Sequence, residues 1–358
     1  VLVLGCILAV LVVYLYLDVW FYVQAQPPMI QSLGDPPAKG APEQTKIPLY
    51  PNLRFKSIVR TKGIYDYETM ISHLQQLADH YEQLTIDIVG ESIEKRAIYL
   101  VKLGHGSKKI LLDGAHHGNE WISSFLLMTM VEHYAYHYHT GQPFYEYDIR
   151  ALLSDYTLCF VPMVNPDGVE IVASNGRSSR DYDKLVALNG GKRSFAGWKA
   201  NARGVDLNRQ YPTNWPLARD YGPATPAMAN YAGSQPLTEP EVIAIDRLHQ
   251  QEQFAAYLTY HSVGNMIFYY YYQTGDWLER DRALAYAVGR LTGYEVRHSS
   301  GGIGGMARDH VVTAYQIPTL IMELGINKQR PLPEFAGMWE RNRKVPCLVI
   351  TWLDQGKP

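Results

Sequence analysis

Five short runs set the pattern of this chain: AIYLVKLG at 97–104, KILLDGA at 109–115, TLCFVPMVN at 157–165, FAAYLTYHSV at 254–263 and TLIMELG at 319–325. Each is apolar or β-branched with little alternation, the mark of a strand buried on both faces. Between them lie stretches of helical length. YETMISHLQQLADHYEQL carries apolar residues three and four apart, and WISSFLLMTMVEHYAYHY is apolar almost all round. EPEVIAIDRLHQQ is entered through Thr238 with Glu241 three residues on, a capping-box spacing. Alternation of this kind predicts an α/β fold, a sheet covered by helices on both faces. Sites in such sheets gather at the carboxyl ends of strands. His117, Asn165, His261 and Glu323 all fall at or just after such ends.

The remaining features bound the answer. With 358 residues and 47% hydrophobic content the chain can bury one large core, and no repeat or second linker interrupts 49–357, which reads as one domain. Thirty-three basic residues against 35 acidic ones give a formal charge of -2. Broad electrostatic attraction to nucleic acid or an anionic membrane surface is thereby excluded. Of three cysteines, Cys6 lies in the apolar N-terminal segment, leaving Cys159 and Cys347 as one potential disulfide and excluding a disulfide-dense scaffold. Residues 1–23, VLVLGCILAVLVVYLYLDVWFYV, are apolar apart from Asp18. As a helix they would span ~34 Å, enough to cross a bilayer. They read as an uncleaved membrane anchor in preference to a signal segment, so the expected location is membrane-anchored and extracytoplasmic, or secreted if the segment is removed. Residues 24–48, rich in Pro, Gly and Gln, read as a tether.

His117-Gly118-Asn119-Glu120 sets an imidazole and a carboxylate three apart at a strand-to-helix junction, where both can point at one ion. The spacing alone is weak, because His249-Gln250-Gln251-Glu252 repeats it on a polar helical stretch. His133 and His137 read as the surface face of a helix, and the tyrosines at 269–272 as a strand face against the core. A catalytic zinc needs a third ligand and an open position. His261 is the best placed, although alone it would read as a core histidine. Glu323 closes an apolar strand, where an unpaired carboxylate is costly, and this marks it as functional.

HGNEW at 117–121, NPDG at 165–168, GVDLNRQYP at 204–212, YHS at 260–262 and MELG at 322–325 together resemble, in order and spacing, the zinc carboxypeptidase family across roughly residues 60–355. The resemblance implies a single domain with a mixed, about eight-stranded twisted sheet. It also implies one zinc ion held by His117, Glu120 and His261, with Asp206 orienting His117 and Glu323 as general base. Asn208 and Arg209 match the pair that grips a substrate's terminal carboxylate. The family's oxyanion arginine lies upstream of the DxNR motif; Arg203 is expected in that role, with Lys199 as competitor, because lysine lacks arginine's fork. Asn119 stands at a substrate contact where digestive members carry arginine. Arg308, just before Asp309, is expected at the floor of the specificity pocket, where positive charge suits a second carboxylate such as that of diaminopimelate. The family's mobile tyrosine has no counterpart in RHSSGGIGGMARDH, and Tyr294 is the nearest.

GWKANARGVDLNRQYP is similar to bacterial γ-D-glutamyl-meso-diaminopimelate peptidases. The expected function is therefore that of a monomeric zinc peptidase acting on peptidoglycan stem peptides, with a peptide or muropeptide as its partner. Against it stand an ordinary metallocarboxypeptidase, a zinc deacylase and a non-catalytic cell-wall-binding module.

Overall fold

The structure, a computed structural model, describes residues 31–32, 54–298 and 302–356. Its sheet has nine strands, of which β1 is the two-residue piece Gln31–Ser32. The eight that carry the domain are β2 Leu84–Glu91, β3 Ala97–Gly104, β4 Lys108–Gly114, β5 Tyr156–Val161, β6 Ala256–His261, β7 Met266–Phe268, β8 Glu295–Arg297 and β9 Thr319–Glu323. They lie in the order β2-β3-β5-β4-β6-β9-β7-β8. The central four, β5, β4, β6 and β9, run parallel. Antiparallel pairing joins β3 to β5 and β2 to β3 on one side, and β7 to β9 on the other. After β4 the chain first adds β5 to one flank and later β6 to the opposite flank. That reversal opens a crevice beyond the carboxyl end of β4, where α/β sheets bind ligands.

Successive side chains divide between two cores. Ile110, Leu112, Leu158, Phe160, Leu258, Tyr260, Leu320 and Met322 face helices Ile122–Thr140, Gly275–Thr292 and Val345–Asp354. Leu111, Cys159, Val161 and Tyr257 face helices Pro240–Glu252 and Ala307–Tyr315. Full burial of a Leu or Phe at such positions is worth ~1.5–3 kcal/mol, which fixes the register of every central strand.

Several expectations change. Helix Pro240–Glu252 starts at Pro240 with Glu239 as its cap residue and no side-chain cap bond. Proline in the first turn has no N–H to satisfy. Thr238 Oγ1 instead donates to Gln210 Oε1, and Glu241 turns inward to accept from Ile93 N at 3.2 Å. His133 is half-buried, its ring 4.4 Å from those of Phe55 and Trp339, and burial pushes its imidazole down to about 4. His137 Nδ1 lies 3.0 Å from the Gln142 carbonyl. Cys159 and Cys347 are separate buried thiols. The tyrosine tract follows β7 rather than lying within a strand, with Tyr269 and Tyr271 buried and Tyr272 exposed. The expected anchor at 1–23 lies outside the described residues, as does most of the tether. Among the described residues no helix is long and apolar enough to cross a membrane.

Candidate metal centre

From Gly114, at the end of β4, the chain turns through Ala115 into a 3-10 turn, Gly118–Glu120, and then into helix Ile122–Thr140. Ser123 fastens this turn, accepting from Ala115 N at 2.9 Å and donating to the Glu120 carbonyl at 2.7 Å. Residues three apart eclipse in a 3-10 turn, and His117 Nδ1 comes to 2.9 Å from Glu120 Oε1. His261 ends β6, in register with Glu323 at the end of β9. Its Nδ1 lies 2.8 Å from Glu120 Oε2. Ligand atoms of His117, Glu120 and His261 all fall within 4.8 Å of one another, and all three side chains are buried.

The donor set fits a zinc ion. Two imidazoles and a carboxylate are the composition of a catalytic zinc site. His117 Nδ1 is buried without a hydrogen bond despite its closeness to Glu120, an orphan that a cation would satisfy. The opposite ring nitrogens are engaged elsewhere: His117 Nε2 lies 3.2 Å from Asp206 Oδ1, and His261 Nε2 lies 3.4 Å from the Thr259 hydroxyl oxygen, each able to accept the ring N–H. Such partners fix each ring's orientation and leave its Nδ1 for a metal. Asp206 is itself held, accepting from Asn208 N at 3.1 Å and Asn230 N at 2.9 Å.

Charge and burial oppose one another here. Burial alone would raise Glu120, but the imidazoles of His117 and His261 hold it well below the usual carboxylate range. The same competition, again won by His117, holds Asp206 far down. At Glu323 burial and then the charge of Glu120 outweigh the opposing charges of His117, Lys199 and Lys328 and push it up to about 8.

Lys199, not Arg203, reaches this centre. Lys199 Nζ lies 3.7 Å from Glu120 Oε1. Arg203 is more than half exposed, 3.7 Å from Glu239, and lines a separate cavity of about 230 Å³ with Glu94 and Arg180. Backbone contacts decide this, because the Lys199 carbonyl accepts from Gly118 N at 3.1 Å and Asn165 Nδ2 at 3.2 Å. Asn165 Nδ2 also donates to the carbonyls of His116 and Ala200, while its Oδ1 accepts from Gly168 N. The glycines of HGNE and NPDG meet in the same place: a Cβ on Gly118 would lie 2.3 Å from the Gly168 carbonyl oxygen. A second lysine, absent from the expectations, also converges on Glu120. Lys328, on the loop after β9, brings Nζ to 3.1 Å from Oε1. Its only sequence signal is its place five residues beyond Glu323.

Asn208 and Arg209 are buried on the 3-10 turn Leu207–Arg209. Asn208 Oδ1 accepts from Ala307 N at 3.0 Å, and Arg209 Nε is buried without a partner. Arg308 is not a lone positive floor. It is 2% exposed, and its Nε donates to Asp309 Oδ1 at 2.6 Å while Nη1 donates to the Tyr270 carbonyl. The other Asp309 oxygen is buried without a hydrogen bond. Asn119 is buried with its Oδ1 unpartnered. Tyr294 belongs to the core, its hydroxyl accepting from Asn342 Nδ2 at 2.9 Å.

The zinc carboxypeptidase family model matches residues 70–318. γ-D-Glutamyl-L-diamino acid endopeptidase 1 of Lysinibacillus sphaericus is 33% identical over 278 residues, covering 77% of this chain and 69% of that protein. Carboxypeptidase B of Astacus astacus is 28% identical over 255 residues, covering 67% and 77%. Bovine thrombin-activatable fibrinolysis inhibitor, solved with tick carboxypeptidase inhibitor, shares the fold with a TM-score of 0.64 at 17% identity, over 82% of this chain and 98% of that one. A match across most of the sequence thus ends on a centre whose donors suit zinc, and the chain belongs to the zinc carboxypeptidase family as a zinc-dependent metallopeptidase.

Proposed function

We propose that this peptidase cleaves the γ-D-glutamyl–diamino acid bond of peptidoglycan stem peptides outside the cytoplasm, with residues 1–23 as anchor, 24–48 as linker and 49–357 as catalytic domain. The observation that carries this reading is the buried pair Arg308–Asp309 beside Arg209. Asp309 is subject to the charges of both arginines, yet burial still raises its carboxyl, and one oxygen has no hydrogen bond. Gly302 packs directly against that oxygen, where a Cβ would come within 2.8 Å. A diamino acid such as diaminopimelate ends in an ammonium and a carboxylate on one carbon, and a paired carboxylate and guanidinium complement both. The 33% identity to a γ-D-glutamyl-L-diamino acid endopeptidase supports the same substrate class.

Bound zinc supplies a water activated near neutral pH and polarises the scissile carbonyl. Glu323, at the end of β9 in register with His261, takes the proton of the attacking water and returns it to the leaving amine. Lys199 faces the carbonyl oxygen as negative charge develops. Asn208 and Arg209 hold the α-carboxylate on the leaving side, and Asp206 keeps His117 in the tautomer that turns Nδ1 to the metal. The test is digestion of defined muropeptides with product masses read out. Scission between γ-D-glutamate and diaminopimelate is expected. Release of C-terminal residues from ordinary α-linked peptides alone would make this a general carboxypeptidase instead.

A further inference from the structure

Two ammonium groups approach Glu120, but they differ in setting. Lys199 rides on a backbone segment locked by Gly118 and Asn165. Lys328 comes from the loop after β9, with Nζ 3.1 Å from Glu120 Oε1 and 3.3 Å from the Ser262 carbonyl, and its side chain is about a quarter exposed. That loop has a defined form. Glu334 Oε2 accepts from Ile326 N at 2.8 Å and Asn327 N at 3.3 Å, and Asn327 Oδ1 accepts from Arg330 N at 2.9 Å. Gly325 donates to Asn265 Oδ1 at 3.0 Å, with a φ of 63° that suits glycine. The ammonium is thus carried to Glu120 by a structured loop that follows the strand bearing Glu323.

In the metal-free protein Glu120 neutralises Lys328. Once Glu120 serves as a metal ligand its charge is committed, and Lys328 is left a cation within a few ångströms of a divalent ion and of Lys199. Unpaired like charges at such distances cost free energy unless an anion joins them. The buried arginines Arg209 and Arg308 form a separate cationic group that takes the leaving-side carboxylates, so Lys328 calls for a carboxylate on the acyl side. An α-linked residue carries its chain at that point. A γ-linked glutamyl residue instead carries a free α-carboxylate a few bonds from the scissile carbonyl.

We propose that Lys328 is a specificity-determining residue that binds the free α-carboxylate of a γ-linked glutamyl residue on the acyl side of the cleaved bond. The assignment rests on the stem-peptide reading above and adds the feature by which the acyl half is recognised.

The experiment uses the zinc-loaded enzyme, with metal content measured for each variant. The probes are L-alanyl-γ-D-glutamyl-meso-diaminopimelate and the same peptide with its glutamyl α-carboxylate converted to the amide. Wild type should prefer the carboxylate in kcat/KM by roughly tenfold or more, the scale of one charge-assisted contact. Lys328→Met should bring that ratio close to one, and Lys328→Arg should largely retain it. A second readout is calorimetric binding of the two peptides with the scissile amide replaced by an uncleavable methylene-amine, and the Kd ratio should collapse in the same way. If both peptides are cut and the preference is the same in wild type and Lys328→Met, Lys328 does not read this carboxylate, while the stem-peptide reading stands. Failure of wild type to cut either peptide overturns both.

Discussion

The spacing His-x-x-Glu occurs twice, and the two copies have opposite fates. His117 and Glu120 sit in a 3-10 turn at the carboxyl end of β4, where the strand order reverses, and they meet His261 from the neighbouring strand. His249 and Glu252 lie within helix Pro240–Glu252 and never converge on an ion. The His249 ring packs among Phe254, Tyr257 and Tyr315, and burial pushes it down to about 3. Glu252 is taken by Lys102 and Lys109. Residue type and spacing are the same, so the topology decides. Only one copy lies where separate strands deliver a third ligand and the buried carboxyl of Glu323.

The strongest way to break this contrast is to remove one histidine from each region. His261→Ala should lose bound zinc and with it measurable hydrolysis, whereas His249→Phe should keep one zinc per chain and wild-type turnover; metal analysis and peptide assay check both. Glu323→Gln sharpens the contrast by separating ligation from chemistry. It should retain zinc while kcat falls ~10²–10⁴-fold, the usual scale for a general base. The next contrast is between the two cations considered for the oxyanion. Lys199→Ala should lower kcat ~10²–10³-fold with little change in KM, and Arg203→Ala should leave turnover unaltered.

Smaller effects lie in the second copy and concern stability. His249 stays neutral when folded and is protonated in the unfolded chain, whose imidazole titrates near 6.5. Folding stability is therefore unaffected above that pH and falls by about 1.4 kcal/mol per pH unit below it, until pH approaches 3. His249→Phe should flatten this part of the pH profile between 6.5 and 4.5, measured by denaturant unfolding of the metal-free protein. The smallest change is expected for Glu252→Gln. Its lysine pairs are partly exposed, so the loss should be ~1 kcal/mol at neutral pH.

Much of this could be read from the chain. β3 occupies the same residues, 97–104, as the apolar run that predicts it, and β9 begins at Thr319 as expected. β2 was hidden because the helical period of YETMISHLQQLADHYEQL continues past His80, where the helix stops with no Gly or Pro to mark its end. β7 and β8 have three residues each, too few to show a period. Within the site, His117, Glu120, His261 and Glu323 were legible because each closes or follows a strand. Lys199 was in view only as the competitor to Arg203 and Lys328 not at all, since a lysine's reach depends on backbone hydrogen bonds that no spacing encodes. Preference for arginine's fork pointed to Arg203, but the carbonyl of Lys199 is the one anchored beside the zinc ligands. Arg308 was expected as a positive pocket floor; its burial and its pairing with Asp309 follow from the packing of helix Ala307–Tyr315.

The carboxamide of Asn165 grips the carbonyl of His116, just before the first zinc histidine, together with those of Lys199 and Ala200. These hydrogen bonds tie the two stretches of backbone into one unit. A change at Asn165 is therefore felt at the zinc ligands and at Lys199 together, because a single side chain sets the spacing between them.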